Sequence, residues 1–75
     1  MSLLLNKLAV ITSDNDNYDK FRGVTLRITH VAYNKSQHPG YDSGMEGEAL
    51  CDFVVNATHK EIPFSLYEYE FKIID

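Results

Sequence analysis

The sequence has no tryptophan, only one cysteine and only two prolines among its 75 residues. A single cysteine, Cys51, cannot form a disulfide within the chain, which favours a reducing compartment. No apolar run approaches the roughly 20 residues of a membrane-spanning helix, and the apolar start Met1–Leu5 is too short for the core of a secretory signal. We therefore expect one cytoplasmic domain, residues 1–75, with a core near the lower size limit for independent folding.

Basic residues are also scarce. Seven lysines and arginines stand against eleven aspartates and glutamates, which gives a formal net charge of −4. Nucleic acids and anionic membranes are held mainly through lysine and arginine, so this balance disfavours both as general partners. A local set of cations, Lys20, Arg22 and Arg27, could act with aromatic rings that stack on bases, and a nucleic-acid-associated small barrel is therefore the alternative function.

Recognisable catalytic patterns are missing. The sequence has no G-x-S-x-G element and no glycine-rich phosphate loop. Cys51 falls on the apolar side of a predicted strand, so we interpret it as a core residue rather than a nucleophile. Glu46, Glu48 and Asp52 share the other side, but acid–base catalysis would require a pocket and a raised pKa. We expect a solvated face on which Arg27 pairs with Glu48, and no enzymatic activity.

Metal ligands are few and widely spaced. The three histidines and the cysteine form no close pair of the kind that zinc sites show. The acidic stretch Ser13–Lys20 has the spacing D-x-D-x-x-D but lacks the glycine and the bidentate glutamate of a calcium loop. We predict no metal site and no cofactor, and we interpret Asp14, Asp16 and Asp19 as parts of a solvated loop that binds a divalent ion weakly or not at all.

A strand pattern runs from Met45 to Asn56. Its odd positions are apolar or small and its even positions are mainly acidic or polar. Side chains alternate across a strand with period two, so this pattern predicts a half-buried strand with Cys51 on its inner face. The run Phe21–Tyr33 alternates in the same way and predicts a second long strand, with His30 at the end of its inward-facing set.

Three shorter strands complete the predicted order. Lys7–Thr12 is rich in β-formers and predicts the first strand. Lys60–Ser65 predicts the fourth, and Pro63 within it favours an edge position because proline has no N–H to donate. The alternation then changes phase, which requires a break. We place one helical turn or bulge at Ser65–Glu68 and a last strand at Tyr69–Ile74.

Five strands, two of them long and central, and one helical turn before the last strand resemble the SH3-like small-barrel class. The closing segment IPFSLYEYEFKII carries this resemblance together with the spacing of the runs. It implies an all-β fold, a five-stranded SH3-like barrel with a single helical turn before the last strand. Members of the class serve as protein-docking modules, as subunits of larger complexes, or as RNA- and ribosome-associated domains, and the fold does not choose among these roles. The chain lacks the tryptophan that lines the peptide groove of eukaryotic SH3 domains.

The sequence has more tyrosines than so small a core requires. Tyr33 directly precedes its longest connection, Asn34–Gly44, and Tyr41 lies near the end of that connection. Tyrosines near loop ends are common anchors of protein interfaces, although they also cap barrel ends with the hydroxyl in water. We predict a protein-interaction module or a small accessory subunit of a larger assembly. It would bind another protein, or associate with itself through an unpaired strand edge. The candidate partner-binding residues are Tyr33, His38, Tyr41, Asp42, Glu46 and Glu48.

Overall fold

A computed structural model describes residues 3–75 and contains five strands in one antiparallel sheet. The strands are β1 (Leu8–Ile11), β2 (Leu26–Ala32), β3 (Leu50–Val55), β4 (Leu66–Tyr67) and β5 (Phe71–Ile73). Their order across the sheet is β4-β3-β2-β1-β5. The all-β prediction is therefore confirmed. Met1 and Ser2, the first part of the apolar segment Met1–Leu5, lie outside the described residues.

Three 3₁₀ turns connect the strands. They span Asp16–Phe21, Ser43–Met45 and Glu68–Glu70. The third directly precedes β5, so the predicted helical turn exists but begins three residues later than we placed it. In the described part of the chain, no helix is long and apolar enough to cross a membrane.

The central pair, β2 and β3, contains an irregularity that determines which side chains reach each face. Ile28 lies opposite Phe53 and His30 lies opposite Asp52, so Thr29 is an extra residue in β2. One extra residue sends everything after it to the opposite face. The prediction that His30 faces the core is therefore wrong: its side chain is exposed, on the same face as Asp52.

The sheet buries apolar side chains on both faces. The larger cluster, on the face that we call inner, contains Cys51 and Phe53 as predicted. A smaller cluster on the outer face joins Ala32, Leu50 and Tyr41. The outer face was predicted to be solvated. This is wrong at Leu50, because the Asn34–Gly44 segment, which we call the covering loop, folds back over it, and also at Val54, which is buried.

Several element boundaries differ from the prediction. Met45 ends a 3₁₀ turn rather than starting a strand, and β3 begins only at Leu50. Gly47 lies in a turn between that 3₁₀ turn and β3 and has a φ of 99°, a conformation that favours glycine. The predicted strand Lys60–Ser65 is reduced to one bridge between Glu61 and Val54. The last strand is Phe71–Ile73, shorter than predicted.

The predicted pair between Arg27 and Glu48 does not form. Arg27 lies opposite Val54, near the end of β3 far from Glu48. Its guanidinium donates to Asn56 Oδ1 at 3.1 Å and to the backbone oxygen of Asn6 at 2.8 Å.

Candidate functional site

The covering loop is shaped first by its own polar side chains. Asn34 Oδ1 accepts hydrogen bonds from the backbone amides of Ser36 and Gln37, at 3.0 and 3.2 Å. Gln37 Oε1 in turn accepts from the Tyr33 amide at 2.6 Å. Short polar side chains of this kind satisfy turn amides locally, so the loop starts with a tight turn that directs it back across the outer face.

Tyr41 fastens the far end of the covering loop to the sheet. Its side chain is 2% exposed, and its hydroxyl lies 2.6 Å from the Met45 oxygen and 2.5 Å from the Glu48 oxygen. Burial raises the pKa of this hydroxyl, and the charges of Tyr67, Glu46 and Glu48 raise it further. The suggestion that this ring merely caps a barrel end with its hydroxyl in water is wrong. Tyr41 was predicted to contact a partner, but its ring is buried. Its contribution to binding is therefore to hold the loop that carries the exposed residues next to it.

His38 fastens the middle of the same loop. Its Nδ1 accepts from the Gly40 amide at 2.9 Å, so in the neutral ring the hydrogen is on Nε2. Nε2 lies 3.1 Å from Asp52 Oδ1 and 3.2 Å from Ser65 Oγ. Ser65 Oγ also forms a short hydrogen bond with Asp52 Oδ1. We call these three side chains the His38 cluster; they connect the covering loop to β3 and to the residue before β4.

The His38 cluster contains the residue types of a serine hydrolase triad without its geometry. A triad requires an imidazole with one nitrogen toward the carboxylate and the other free to accept the serine proton. Here the same nitrogen, Nε2, faces both Asp52 and Ser65, and Nδ1 is taken by a backbone amide. No nitrogen is left to activate the hydroxyl, so the arrangement positions a loop rather than a nucleophile.

A row of three tyrosines leads from the buried end of the loop to the surface. The rings of Tyr41 and Tyr67 meet edge to face with centroids 5.7 Å apart. Tyr67 and Tyr69 are parallel within 5°, with centroids 6.2 Å apart. The Tyr67 hydroxyl accepts from the Asp42 amide at 2.9 Å, which ties the row to the covering loop. Tyr69 ends the row with 64% of its surface exposed.

Several acidic residues contact this row or adjoin it in the chain. Asp42 and Glu46 are exposed and Glu48 is half-buried, so three predicted acidic residues lie around Tyr41 as expected from their proximity in sequence. Glu68, which was not predicted, is exposed and accepts from the Ala49 amide at 3.2 Å. Tyr69, the exposed ring that ends the row, directly follows Glu68 in the chain.

Sequence reasoning missed Tyr67 and Tyr69 as site residues. Residues two positions apart on one strand share a face, so the sequence could have placed Tyr67 and Tyr69 together. Both are far from Asp42 along the chain, however, so nothing in the sequence indicated the contact between Tyr67 and the covering loop. The third 3₁₀ turn begins directly after Tyr67 and sets the Tyr69 ring against it. Of the other predicted residues, Tyr33 lies at the start of the loop with 43% of its surface exposed, and His38 belongs to the His38 cluster.

A cleft opens beside the His38 cluster, with a volume of about 300 Å³. Its lining comes from β2, from β3 and from the segment before β4. The lining residues are Thr29, His30, Asp52, Phe53, Glu61 and Ile62.

The basic and acidic residues considered for other functions are largely engaged within the chain. Arg22 donates to Asp19 Oδ1 at 2.6 Å, to the Asn15 oxygen at 2.7 Å and to the Ser13 oxygen. Arg27 is likewise engaged with Asn56. Across residues 3–75, no group of three histidine, cysteine, aspartate or glutamate side chains is arranged to hold a metal ion.

Comparisons with protein-family models, with curated proteins and with solved structures gave no significant match for this chain.

Proposed function

We propose that the chain is a small SH3-like barrel that acts as a cytoplasmic protein-interaction module or accessory subunit. Support for the barrel comes from the five strands, from the central position of the two longest, β2 and β3, and from the 3₁₀ turn that leads into β5. A free buried thiol at Cys51 is in keeping with a reducing compartment.

The binding surface is formed by Asp42, Glu46, Tyr67, Glu68 and Tyr69, which we call the tyrosine surface. The observation that carries the proposal is the Tyr69 ring, exposed yet stacked in parallel on Tyr67. A large ring that is already held in place loses little conformational entropy on binding, which is why tyrosines are frequent interface anchors.

The partner is a protein segment that presents arginine or lysine. Tyrosine faces attract cations placed over them, and the carboxylates of Asp42, Glu46 and Glu68 add a complementary charge that favours encounter with a basic surface. The proposed surface therefore lies nearer to the turn before β5 than the surface predicted from the sequence around Tyr33, His38 and Tyr41, because Tyr41 is buried and His38 is engaged with Asp52.

Capture experiments test this function. The tagged chain would be used to capture partners from a lysate of the source organism, with and without nuclease, followed by mass spectrometry. We expect one stoichiometric, nuclease-resistant protein that is lost with Tyr69→Ala, weakened by Glu46→Gln and released by rising salt. Matched controls are Ile74→Ala, which removes an exposed apolar side chain elsewhere, and Asp14→Asn, which removes an exposed charge from the first loop.

Other outcomes would replace the proposal. A captured protein that binds Tyr69→Ala as well as the wild type would exclude the tyrosine surface. Loss of all capture on nuclease treatment would favour the nucleic-acid alternative, which the engagement of Arg22 and Arg27 within the chain now disfavours. A concentration-dependent mass in light scattering, abolished by Tyr69→Ala, would identify the partner as a second copy of the chain.

A further inference from the structure

The cleft beside the His38 cluster has a shape and a chemistry of its own. Its volume of about 300 Å³ is at the lower limit of small-molecule sites, so it suits one side chain better than a cofactor. The extra residue in β2, Thr29, brings its hydroxyl and the neighbouring His30 to the walls. Phe53 and Ile62 also line it, but their side chains are buried in the inner cluster, so the surface open to a ligand is mainly polar.

The polar groups of the cleft have already used their donors within the chain. The Thr29 hydroxyl donates to the Asp52 backbone oxygen at 3.3 Å. His30 Nε2 lies 3.0 Å from the Gln37 oxygen, and because a carbonyl can only accept, Nε2 is the donor and the neutral ring keeps Nδ1 as an acceptor.

The carboxylates add only acceptors. Asp52 Oδ1 is engaged by His38 and Ser65, which leaves its second oxygen, while the exposed Glu61 brings two more oxygens. An ionised carboxylate accepts and cannot donate. The lining is therefore a set of unused acceptors with net negative charge, which calls for a cationic ligand with several donors.

We propose that this cleft binds one arginine side chain of the protein partner, an inference that rests on the proposed function. The guanidinium group carries five N–H donors in a rigid plane, enough to serve both carboxylates, His30 Nδ1 and the Thr29 oxygen together. A lysine ammonium carries only three donors around a single point.

A titration with small probes tests the chemistry without the partner. N-acetyl-arginine amide would be added to the ¹⁵N-labelled chain, with N-acetyl-lysine amide and the neutral isostere N-acetyl-citrulline amide as comparisons. We expect the arginine probe to shift the amide signals of Thr29, His30, Asp52, Glu61 and Ile62, and to bind at least about tenfold more tightly than the citrulline probe. Equal shifts with citrulline, shifts spread over the whole chain, or tighter binding of lysine would overturn the assignment.

Glu61→Gln removes the negative charge of the lining carboxylate that does not belong to the His38 cluster. Its side chain is exposed and its only strand contact is a backbone bridge, so the variant keeps the fold. We expect about tenfold weaker binding of the arginine probe, with Asp14→Asn unchanged. Unchanged binding by Glu61→Gln would overturn the proposal.

The captured partner separates this inference from the function on which it rests. Loss of capture with both Tyr69→Ala and Glu61→Gln supports the two together. Loss with Tyr69→Ala alone, with full capture by Glu61→Gln, overturns the arginine cleft and leaves the tyrosine surface intact. Full capture by both variants overturns both.

Discussion

Two polar loops, Ser13–Lys20 and the covering loop, fold onto the sheet and are fastened in different ways. The first is held largely by Arg22, whose guanidinium bonds Asp19 and two backbone oxygens at the surface. The covering loop is held by Tyr41, a buried ring whose hydroxyl satisfies two backbone oxygens. The first loop thus combines exposed charge with the partly buried Tyr18, whereas the covering loop combines a fully buried ring with the polar His38 cluster.

This difference determines which charges remain at the surface. In the first loop, Arg22 and Asp19 pair with each other, so their charges cancel locally. Burial of Tyr41 holds the covering loop without an ion pair at that point, and Glu46 just after it remains exposed. Asp14 and Asp16 also remain exposed in the first loop, so acidic charge lies at both loops, and the means of fastening decides only which carboxylate is neutralised by a partner.

The largest expected effect comes from the buried fastening. Tyr41→Phe removes the hydroxyl that two backbone oxygens share. The Met45 oxygen keeps the Glu48 amide as a donor, but the Glu48 oxygen loses its hydrogen bond to the ring, and a partly buried acceptor without a donor is costly. We expect the thermal midpoint to fall by about 10 °C, given the steep dependence of the midpoint on stability in a chain of this size. Tyr18→Phe removes a partly buried hydrogen bond from the first loop to Glu70 and should lower the thermal midpoint by less than half as much. Equal shifts in circular-dichroism melts would contradict the comparison.

The next effect concerns the carboxylates. Asp52→Ala removes the acceptor for His38 and Ser65 and should cost about 1 kcal/mol, a value that allows for the partial exposure of Asp52. Asp19→Ala breaks a surface ion pair and should cost about 0.5 kcal/mol. Urea unfolding measures both. Hydrogen exchange at the Gly40 and Tyr41 amides should accelerate with Asp52→Ala only; acceleration with Asp19→Ala would contradict the independence of the two loops.

The sequence predicted the strands better than their boundaries and their faces. Alternation placed Cys51 and Phe53 on the inner face because burial on a strand follows period two. It failed at His30, since one extra residue at Thr29 reverses the faces and nothing in the composition of LRITHVA marks that position. It also failed at Leu50, whose burial depends on how the loop between β2 and β3 folds back over the sheet.

The candidate site was predicted only in part for the same reason. Asp42, Glu46 and Glu48 are close in sequence, so their proximity followed from the chain itself. The contact of Asp42 with Tyr67 joins residues 25 positions apart, and the meeting of His38 with Asp52 and Ser65 depends on the path of the covering loop. Local patterns do not encode such contacts, because they depend on how the elements pack.

The reactivity of the Cys51 thiol measures how far each loop shields the inner face from solvent. Burial raises the pKa of its thiol to about 12, with the charges of Glu68 and Asp52 adding to the effect. The folded chain therefore favours the neutral thiol, and this contribution to stability is present below pH 9 and is lost as the pH rises from 9 toward 12.

Thiol labelling turns that protection into a test of the two loops. A thiol-reactive disulfide reagent at about pH 8 should label the folded chain at least about a hundredfold more slowly than the unfolded chain, because only the thiolate reacts. Tyr18→Ala should accelerate labelling several-fold, since Tyr18 packs against the inner cluster. Asp52→Ala should change the labelling rate less. A larger acceleration with Asp52→Ala than with Tyr18→Ala would show that the covering loop shields both faces of the sheet.

The smallest expected effect on stability belongs to the residue on which the proposed function depends. Tyr69 is 64% exposed and contributes one stacking contact with Tyr67. Tyr69→Ala should therefore change the free energy of unfolding by no more than about 0.5 kcal/mol, with Ile74→Ala as the exposed apolar control. A variant that unfolds like the wild type in urea and yet loses the captured protein would separate binding from folding. A loss of several kcal/mol would instead show that the parallel pair of rings stabilises the turn before β5, and that Tyr69, like Tyr41, serves the fold.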